Sequence, residues 1–357
     1  MNIEKTIQAI LAQTPDLLLG KTAQELGIKS VISLEKDHVF IHLSAGFPTM
    51  LLQETLIPEL NKALIEALPT HHIQITLDHF IKAHQTQLMG KGLRGIKNTI
   101  AIASGKGGVG KSTVTVNLAT ALARLGARVG ILDADIYGPS IPLMLGRAHP
   151  VEVQGDRYLP AMAHGISAMS IGYLTEGEPA LLWRGPMLAK SLLQMIDITQ
   201  WDELDYLLID LPPGTGDIQL SLVQKIPITA AIIVTTPQQV ATLDAEKAYK
   251  MFSQTSIDIL GIIENMSTHI CSQCHHQEPI FSTGGARRLC ERYQCTLLGE
   301  FPLDTRIVNH CDEGIPTATQ DKDELTMTFI KAALQTAIEL SKKPLNYADK
   351  FPNIVVE

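Results

Sequence analysis

Thr99–Thr113 reads TIAIASGKGGVGKST, and this stretch decides the fold. Ile100, Ala101, Ile102 and Ala103 have the apolar character of a buried strand. The chain then breaks into glycines, after which Val114, Leu118, Ala121, Leu122 and Leu125 mark one face of a helix that Gly126 stops. Between strand and helix, Gly105 to Ser112 fits G-x-x-x-x-G-K-[ST], the phosphate-binding loop. Backbone N–H groups curl around a polyphosphate where side chains are absent and positive φ is cheap, which is the use of Gly105, Gly107, Gly108 and Gly110 around Val109. Lys111 is placed for the β- and γ-phosphates, and Ser112 for Mg²⁺. Thr113 continues the first turn of a helix whose positive end faces the anion. A glycine loop that merely turns the chain would need none of these fixed positions.

Composition sets the frame. The 357 residues suffice for two domains, and abundant aliphatics with few aromatics suit a parallel sheet buried on both faces. A net charge of −8 argues against a general nucleic-acid binder. No apolar run is long enough to span a bilayer, and the acidic, amphipathic MNIEKTIQAILAQTPD lacks a signal-peptide pattern, so no membrane partner and a cytoplasmic location are expected. The five cysteines, Cys271, Cys274, Cys290, Cys295 and Cys311, are odd in number and bunched, which points to metal or redox chemistry.

Along the chain, residues 3–13 and 16–26 read as helices, 31–35 and 39–44 as a strand pair, 48–68 as a helix divided at Pro58, and 71–77 as a third strand. Residues 1–80 are thus expected to form a small α+β domain. Residues 81–97, with Gly90, Gly92 and Gly95 among basic residues, read as a solvated linker. From 98 to 343 strands alternate with helices: strands at 99–104, 127–132, 166–171, 205–210, 230–235, 258–264 and 296–300, and a closing helix from Glu324 to Leu340. That pattern predicts an α/β domain, a mostly parallel sheet with helices on both faces, followed by a tail over 344–357.

Acids at strand ends suit magnesium and ATP. Tyr206-Leu207-Leu208-Ile209-Asp210 is a buried strand ending in a carboxylate, the Walker B arrangement, in which Asp210 holds the metal. The glycines of PPGTGD after it give a loop in which Gly214 can sense the γ-phosphate through a backbone N–H. Phe301-Pro302-Leu303-Asp304 offers apolar and backbone surface for the base, with Pro302 against the ring.

KGGVGKS, with Lys106 four residues before Gly110, resembles the deviant Walker A of the MinD/ParA/nitrogenase-iron-protein group. The resemblance implies an ATP-driven homodimer in which Lys106 reaches the partner's nucleotide. It also implies that Asp135 of Leu132-Asp133-Ala134-Asp135 positions the attacking water, with Asp133 a supporting carboxylate near the metal, and that the amide of Asn265 contacts adenine.

Cys271-Ser272-Gln273-Cys274 can direct two sulfurs at one centre. A closed site needs about four ligands, and the chain has no second C-x-x-C. Two chains together supply four thiolates, which fits a [4Fe–4S] cluster on a two-fold axis. Zinc held by Cys271 and Cys274 with His275, His276 or Cys290, and a redox dithiol, are the other readings. Cys290, Cys295 and Cys311 read as small core residues, and His71-His72 as the exposed start of a strand.

GKGGVGKST, LDADIYGPSIPLMLG, WRGPM, LDYLLIDLPPGTGD, IENMS, CSQC and GEFPLD, in this order, resemble the Mrp/ApbC iron–sulfur cluster carrier ATPases from about Gly95 to Leu340. The N-terminal part resembles the MIP18-like domain fused to bacterial members. That domain commonly carries a G-C-P turn where this chain has Gly46-Phe47-Pro48, so a cluster role for it through a thiol is not expected. The resemblance implies a carrier that passes its cluster from cluster-assembly proteins to apo iron–sulfur proteins under control of ATP. The rival reading is a MinD/ParA-type positioning ATPase with a zinc or structural C-x-x-C.

Overall fold

The structure, a computed structural model, describes residues 3–88, 90–136, 138–146, 151–173, 185–271, 273–274 and 276–346, with backbone alone for 185–188. Trp183 and Arg184 of the WRGPM stretch, and the tail from 347, lie outside the described residues. Two compact units are formed, one from residues 1–82 with 337–342, the other from 83–336 with 343–357.

The first unit contains α1 (Ile3–Gln13), β1 (Lys29–Glu35), β2 (His38–Ala45), α2 (Met50–Thr55), α3 (Ile57–Ala67) and β3 (His72–His79). Its sheet has the order β1-β2-β3, antiparallel then parallel. Pro58 sits in the first turn of α3, where its missing N–H is harmless, and so divides the helical stretch as expected. Residues 16–26 are not the helix that the sequence suggests. Asp16 accepts from the N–H of Leu19 (2.6 Å), Gly20 takes φ 64°, and Glu25 accepts from the N–H of Thr22 (2.8 Å). These local side-chain bonds satisfy the backbone in two successive turns and displace the helix.

The second unit runs β4 (Ile96–Ala103), α4 (Lys111–Arg124), β5 (Val129–Asp133), α5 (Ile141–Met144), β6 (Glu152–Gln154), β7 (Arg157–Leu159), β8 (Ala161–Ala163), β9 (Ile166–Ser170), α6 (Gly185–Ile198), β10 (Leu204–Asp210) and α7 (Asp217–Lys225). It continues with β11 (Ala230–Thr235), α8 (Gln239–Gln254), β12 (Asp258–Glu264), β13 (His269–Ile270), β14 (Gln277–Glu278), α9 (Gly285–Tyr293), β15 (Thr296–Glu300), α10 (Thr305–Asp312) and α11 (Glu324–Ser341), whose residues from 337 onward are assigned to the first unit. Eight strands form one sheet in the order β15-β12-β11-β4-β10-β5-β9-β8, parallel except for β8 on β9. The predicted α/β class is the observed one, and every predicted parallel strand is present. The short antiparallel pieces β6, β7, β8, β13 and β14 were not expected from the sequence, because two or three residues carry no periodicity to read. β4 lies at the centre, buried along Asn98–Ala103, and the strand order reverses around it, which puts the loop after β4 at the switch point where such sheets bind ligands.

The segment read as a solvated linker is anchored instead. Gln87 Nε2 donates to the carbonyls of Val223 (2.7 Å) and Ile226 (2.8 Å), and its Oε1 accepts from the N–H of Ile228 (2.7 Å). His84 is buried and its N–H donates to Asn98 Oδ1 (3.1 Å). Glycines and basic residues gave the segment a linker's composition, but two side chains, Gln87 and His84, decide its structure.

Replacing Gln87 by Ala removes three hydrogen bonds and leaves helix-end carbonyls without partners. A loss of roughly 2–4 kcal/mol in urea unfolding is expected; an effect within about 0.5 kcal/mol would mean that the segment is a free connector.

Candidate nucleotide site and cysteine hairpin

The first glycine of the loop is required by packing. A Cβ on Gly105 would lie 2.1 Å from the backbone of Asp244 in α8, so only glycine lets the loop approach that helix. Gly108 and Gly110 take φ 81° and 79°, and Gly110 is the left-handed cap from which α4 departs. The curl encloses a cavity of about 210 Å³ lined by Lys106, Gly107 to Thr113 and Asp135, among others. A larger cavity of about 510 Å³ opens at the opposite, amino ends of β4 and β10 beside Leu93 and Arg94. The smaller cavity lies at the N-terminus of α4, where helix N–H groups favour an anion.

Four groups converge at its floor. Lys111 Nζ lies 2.8 Å from Asp210 Oδ2, with Lys111 6% and Asp210 0% exposed. Ser112 Oγ donates to Asp210 Oδ2 (2.6 Å), and Thr115 Oγ1 donates to Asp210 Oδ1 (2.7 Å). Sheet register sets Asp210 beside Asp133, and Asp133 beside Ser170. Asp133 Oδ2 accepts from Ser170 Oγ (3.0 Å), and Oδ1 from the N–H of Asp135 (3.1 Å). Burial, and then the charge of Asp210, push the Asp133 carboxyl up to about 8. Burial also raises Asp135, against the opposing pull of Lys111.

Asn265 ends β12 and reaches the loop. Its Nδ2 donates to the Val109 carbonyl (2.9 Å), and a Cβ on Gly110 would meet that amide at 2.3 Å. It therefore braces the loop. The Gly214 N–H donates to the Ser104 carbonyl (3.0 Å), so the amide expected to sense phosphate is engaged in this structure. Pro302 stands outside the cradle's lining. It belongs to the strand extension Phe301–Leu303, which bonds to residues 264–270: Phe301 N–H to Glu264 O (2.8 Å), Ser267 N–H to Phe301 O (2.9 Å) and Leu303 N–H to Thr268 O (2.7 Å).

That extension carries the hairpin of β13 and β14, and the turn between them holds Cys271 and Cys274. Cys271 is half-buried and Cys274 exposed. Backbone N–H groups of Cys274 and Gln273, and the Cys274 side chain, lower the Cys271 thiol below its ordinary value. The Cys271 N–H donates to the His276 carbonyl (3.0 Å), which closes the turn. Among the described residues no group of three His, Cys, Asp or Glu gathers into a metal site; His275 lies outside the described residues. Cys290 does not join Cys271 and Cys274: it is buried in α9, within the core and beside Cys295.

The family described as NUBPL iron-transfer P-loop NTPases (ParA) matches residues 95–338. The chain belongs to this family. Among its relatives, the iron-sulfur cluster carrier protein of Escherichia coli K12 is 48% identical over 307 residues, 85% of this chain and 83% of that protein. The iron-sulfur cluster transfer protein NUBPL of Mus musculus is 40% identical over 274 residues, 74% of this chain and 86% of that protein. A solved nucleotide-binding protein from Archaeoglobus fulgidus in complex with ADP is 38% identical, with a TM-score of 0.57, covering 65% of this chain and 91% of that one.

Within this NUBPL-type site the sequence reading missed Thr115 and Ser170. Thr115 could have been found as a hydroxyl one helical turn after Lys111. Ser170 becomes visible only through the register of β9 against β5.

Asp133 yields a pH prediction. Its folded pKa is raised above the unfolded carboxylate value, so the folded state holds the proton more tightly. Its contribution to stability is full below about pH 4 and is lost as pH rises to about 8. In EDTA, Asp133→Asn should therefore be more stable than the parent at pH 8, with the gap closing towards pH 4. Parallel stability–pH curves for the two proteins would overturn this.

Proposed function

We propose that this protein is an ATP-dependent carrier that holds a [4Fe–4S] cluster between the two subunits of a cytoplasmic homodimer. It takes the cluster from cluster-assembly proteins and delivers it to apo iron–sulfur proteins. The observation that carries the reading is the hairpin turn: two accessible thiols, one with a lowered pKa, and no third ligand gathered with them among the described residues. Two thiolates per chain meet the need for about four when two chains face each other. Exposed thiolates also release a cargo readily, as a carrier requires.

The cradle supplies the energy-coupled part. Mg²⁺ is a hard ion that takes oxygen ligands, and the Ser112 hydroxyl with the Asp210 carboxylate is a fitting donor set. When bound, the ion would neutralise phosphate charge. Lys111 would exchange Asp210 for the β- and γ-phosphates, and Asp135, inside the cavity and raised in pKa, would orient the attacking water. Lys106 lines the same cavity with an ammonium that has no partner among the described residues, so it is free to serve the nucleotide of the second subunit. Asn265 Oδ1, unused among the described residues, would accept from the adenine amine, and Pro302 would flank the ring. The net charge of −8 and the absence, among the described residues, of a helix able to cross a membrane give no reason to add nucleic-acid or membrane partners. The positioning-ATPase alternative leaves the paired thiols without a task.

Anaerobic reconstitution should give about four irons per dimer with charge-transfer absorption. Cys271→Ala or Cys274→Ala should remove most of that absorption and retain ATP binding, whereas Cys311→Ala should leave it nearly intact. One tightly held zinc per monomer, with no cluster formed, would reject the carrier reading.

Lys111→Ala should abolish ATP hydrolysis, and Lys106→Ala and Asp135→Asn should each be inactive. Mixing the last two should restore part of the activity, since one composite site of each mixed dimer keeps Lys106 from one chain and Asp135 from the other. No recovery despite demonstrated subunit exchange would confine Lys106 to its own chain.

A further inference from the structure

The three-stranded sheet of the N-terminal unit has one buried and one open face. On β2, Val39, Ile41, Leu43 and Ala45 are buried and alternate with exposed or half-exposed His38, Phe40, His42 and Ser44. The pleat therefore sends His38 to the open face. Register pairs Glu35 with His38 across the antiparallel pair, and His38 with His72 across the parallel one. Side chains directly opposite one another share a face, so Glu35, His38 and His72 form a row across all three strands.

The imidazoles are close. The rings of His38 and His72 have centroids 5.0 Å apart and planes inclined at 34°. Two imidazoles on one tetrahedral ion, each nitrogen about 2.0–2.1 Å from the metal, hold their ring centres roughly 5 Å apart. The backbone beneath them is fixed. The His72 N–H donates to the Asp37 carbonyl (2.7 Å), and Asp37 belongs to the two-residue turn between Glu35 and His38, where Lys36 takes φ 51°. The turn that separates the first two members of the row is thereby tied to the third. Phe40 stacks beside His38 with centroids 6.3 Å apart and so limits the ring's swing on one side.

We propose that His38 and His72 form a surface site for a divalent first-row transition metal ion of the kind imidazole favours. Glu35 swings in as a third, carboxylate ligand, and water fills the remaining positions. Among the described residues no ready-made group of three ligands exists, so the prearranged part is the histidine pair. Two imidazoles and a mobile carboxylate make an exchangeable site, suited to taking up and releasing an ion. The site shares no residue with the cradle or the cysteine hairpin and does not depend on the carrier reading.

The test uses the full chain carrying Cys271→Ser and Cys274→Ser, so that the hairpin thiols do not take the probe. Co²⁺ is titrated anaerobically by visible absorption, with Zn²⁺ as competitor. One equivalent should bind, and Zn²⁺ should displace it. His38→Ala and His72→Ala should each weaken binding by at least about tenfold and Glu35→Gln by a smaller factor, while His42→Ala on the same face leaves it unchanged. These side chains are exposed, and an unchanged urea midpoint will show that the fold is retained. Equal Co²⁺ affinity in the parent and the His38→Ala/His72→Ala double variant, no binding below millimolar Co²⁺, or an equal loss with His42→Ala would each overturn the proposal.

Discussion

The buried ion pair between Lys111 and Asp210 is the constraint on which the rest of the site depends. Its atoms are 2.8 Å apart in a place almost closed to solvent. Neither charge is tolerable there alone, because the desolvation of a buried ion is offset only by a close partner. The pair fixes how the central strands must end. β10 has to deliver Asp210 under the start of α4, and the loop after β4 has to turn tightly enough to return Lys111 to it. Thr115 and Ser112 fill the remaining acceptor positions of the carboxylate. Asp133, one strand away, is left without a cation of its own and holds its proton up to about pH 8. A phosphate arriving in the cradle would compete with Asp210 for Lys111, whose charge also acts on Asp133 and Asp135.

A hydrogen-bonded path joins the loop to the hairpin. Asn265 bonds through its side chain to Val109 in the loop and through its N–H to Thr235 at the end of β11 (2.8 Å). The chain then passes straight into residues tied rung by rung to Phe301 and Leu303, and reaches Cys271. Regular hydrogen-bonded strand transmits a displacement better than a free loop does. A change in the curl of the loop at Val109 therefore has a short, stiff path to the thiols, and double-mutant cycles between Asn265 and Cys271 would measure the coupling along it.

Much of this was legible in the sequence because strong local rules operate in the second unit. Buried parallel strands appear as apolar runs, and the phosphate loop has its glycines at positions that geometry dictates. What stayed hidden depended on tertiary contact. The residues 16–26 have the spacing of a helix, but Asp16 and Glu25 bind nearby N–H groups first. Residues 81–97 have the composition of a linker, but Gln87 closes the exposed end of α7. The resemblance makes Asn265 a base contact, and its bond to Val109 becomes visible only once β12 is placed beside β11. Side-chain partners far apart in the chain leave no periodic trace.

The cysteines show how environment sorts residues of one kind. Cys311 is buried against α4, where burial drives its thiol up to about 11 and leaves it a protonated packing group. Cys290 is raised by its bond to the Cys295 thiol and by burial, so that pair is turned inward on itself. Backbone N–H groups of Cys274 and Gln273 are directed at the Cys271 sulfur, and its pKa falls. A thiolate is both the nucleophile and the metal ligand, and the hairpin turn draws the Cys271 sulfur toward that form. The turn does this with backbone amides rather than a cationic side chain.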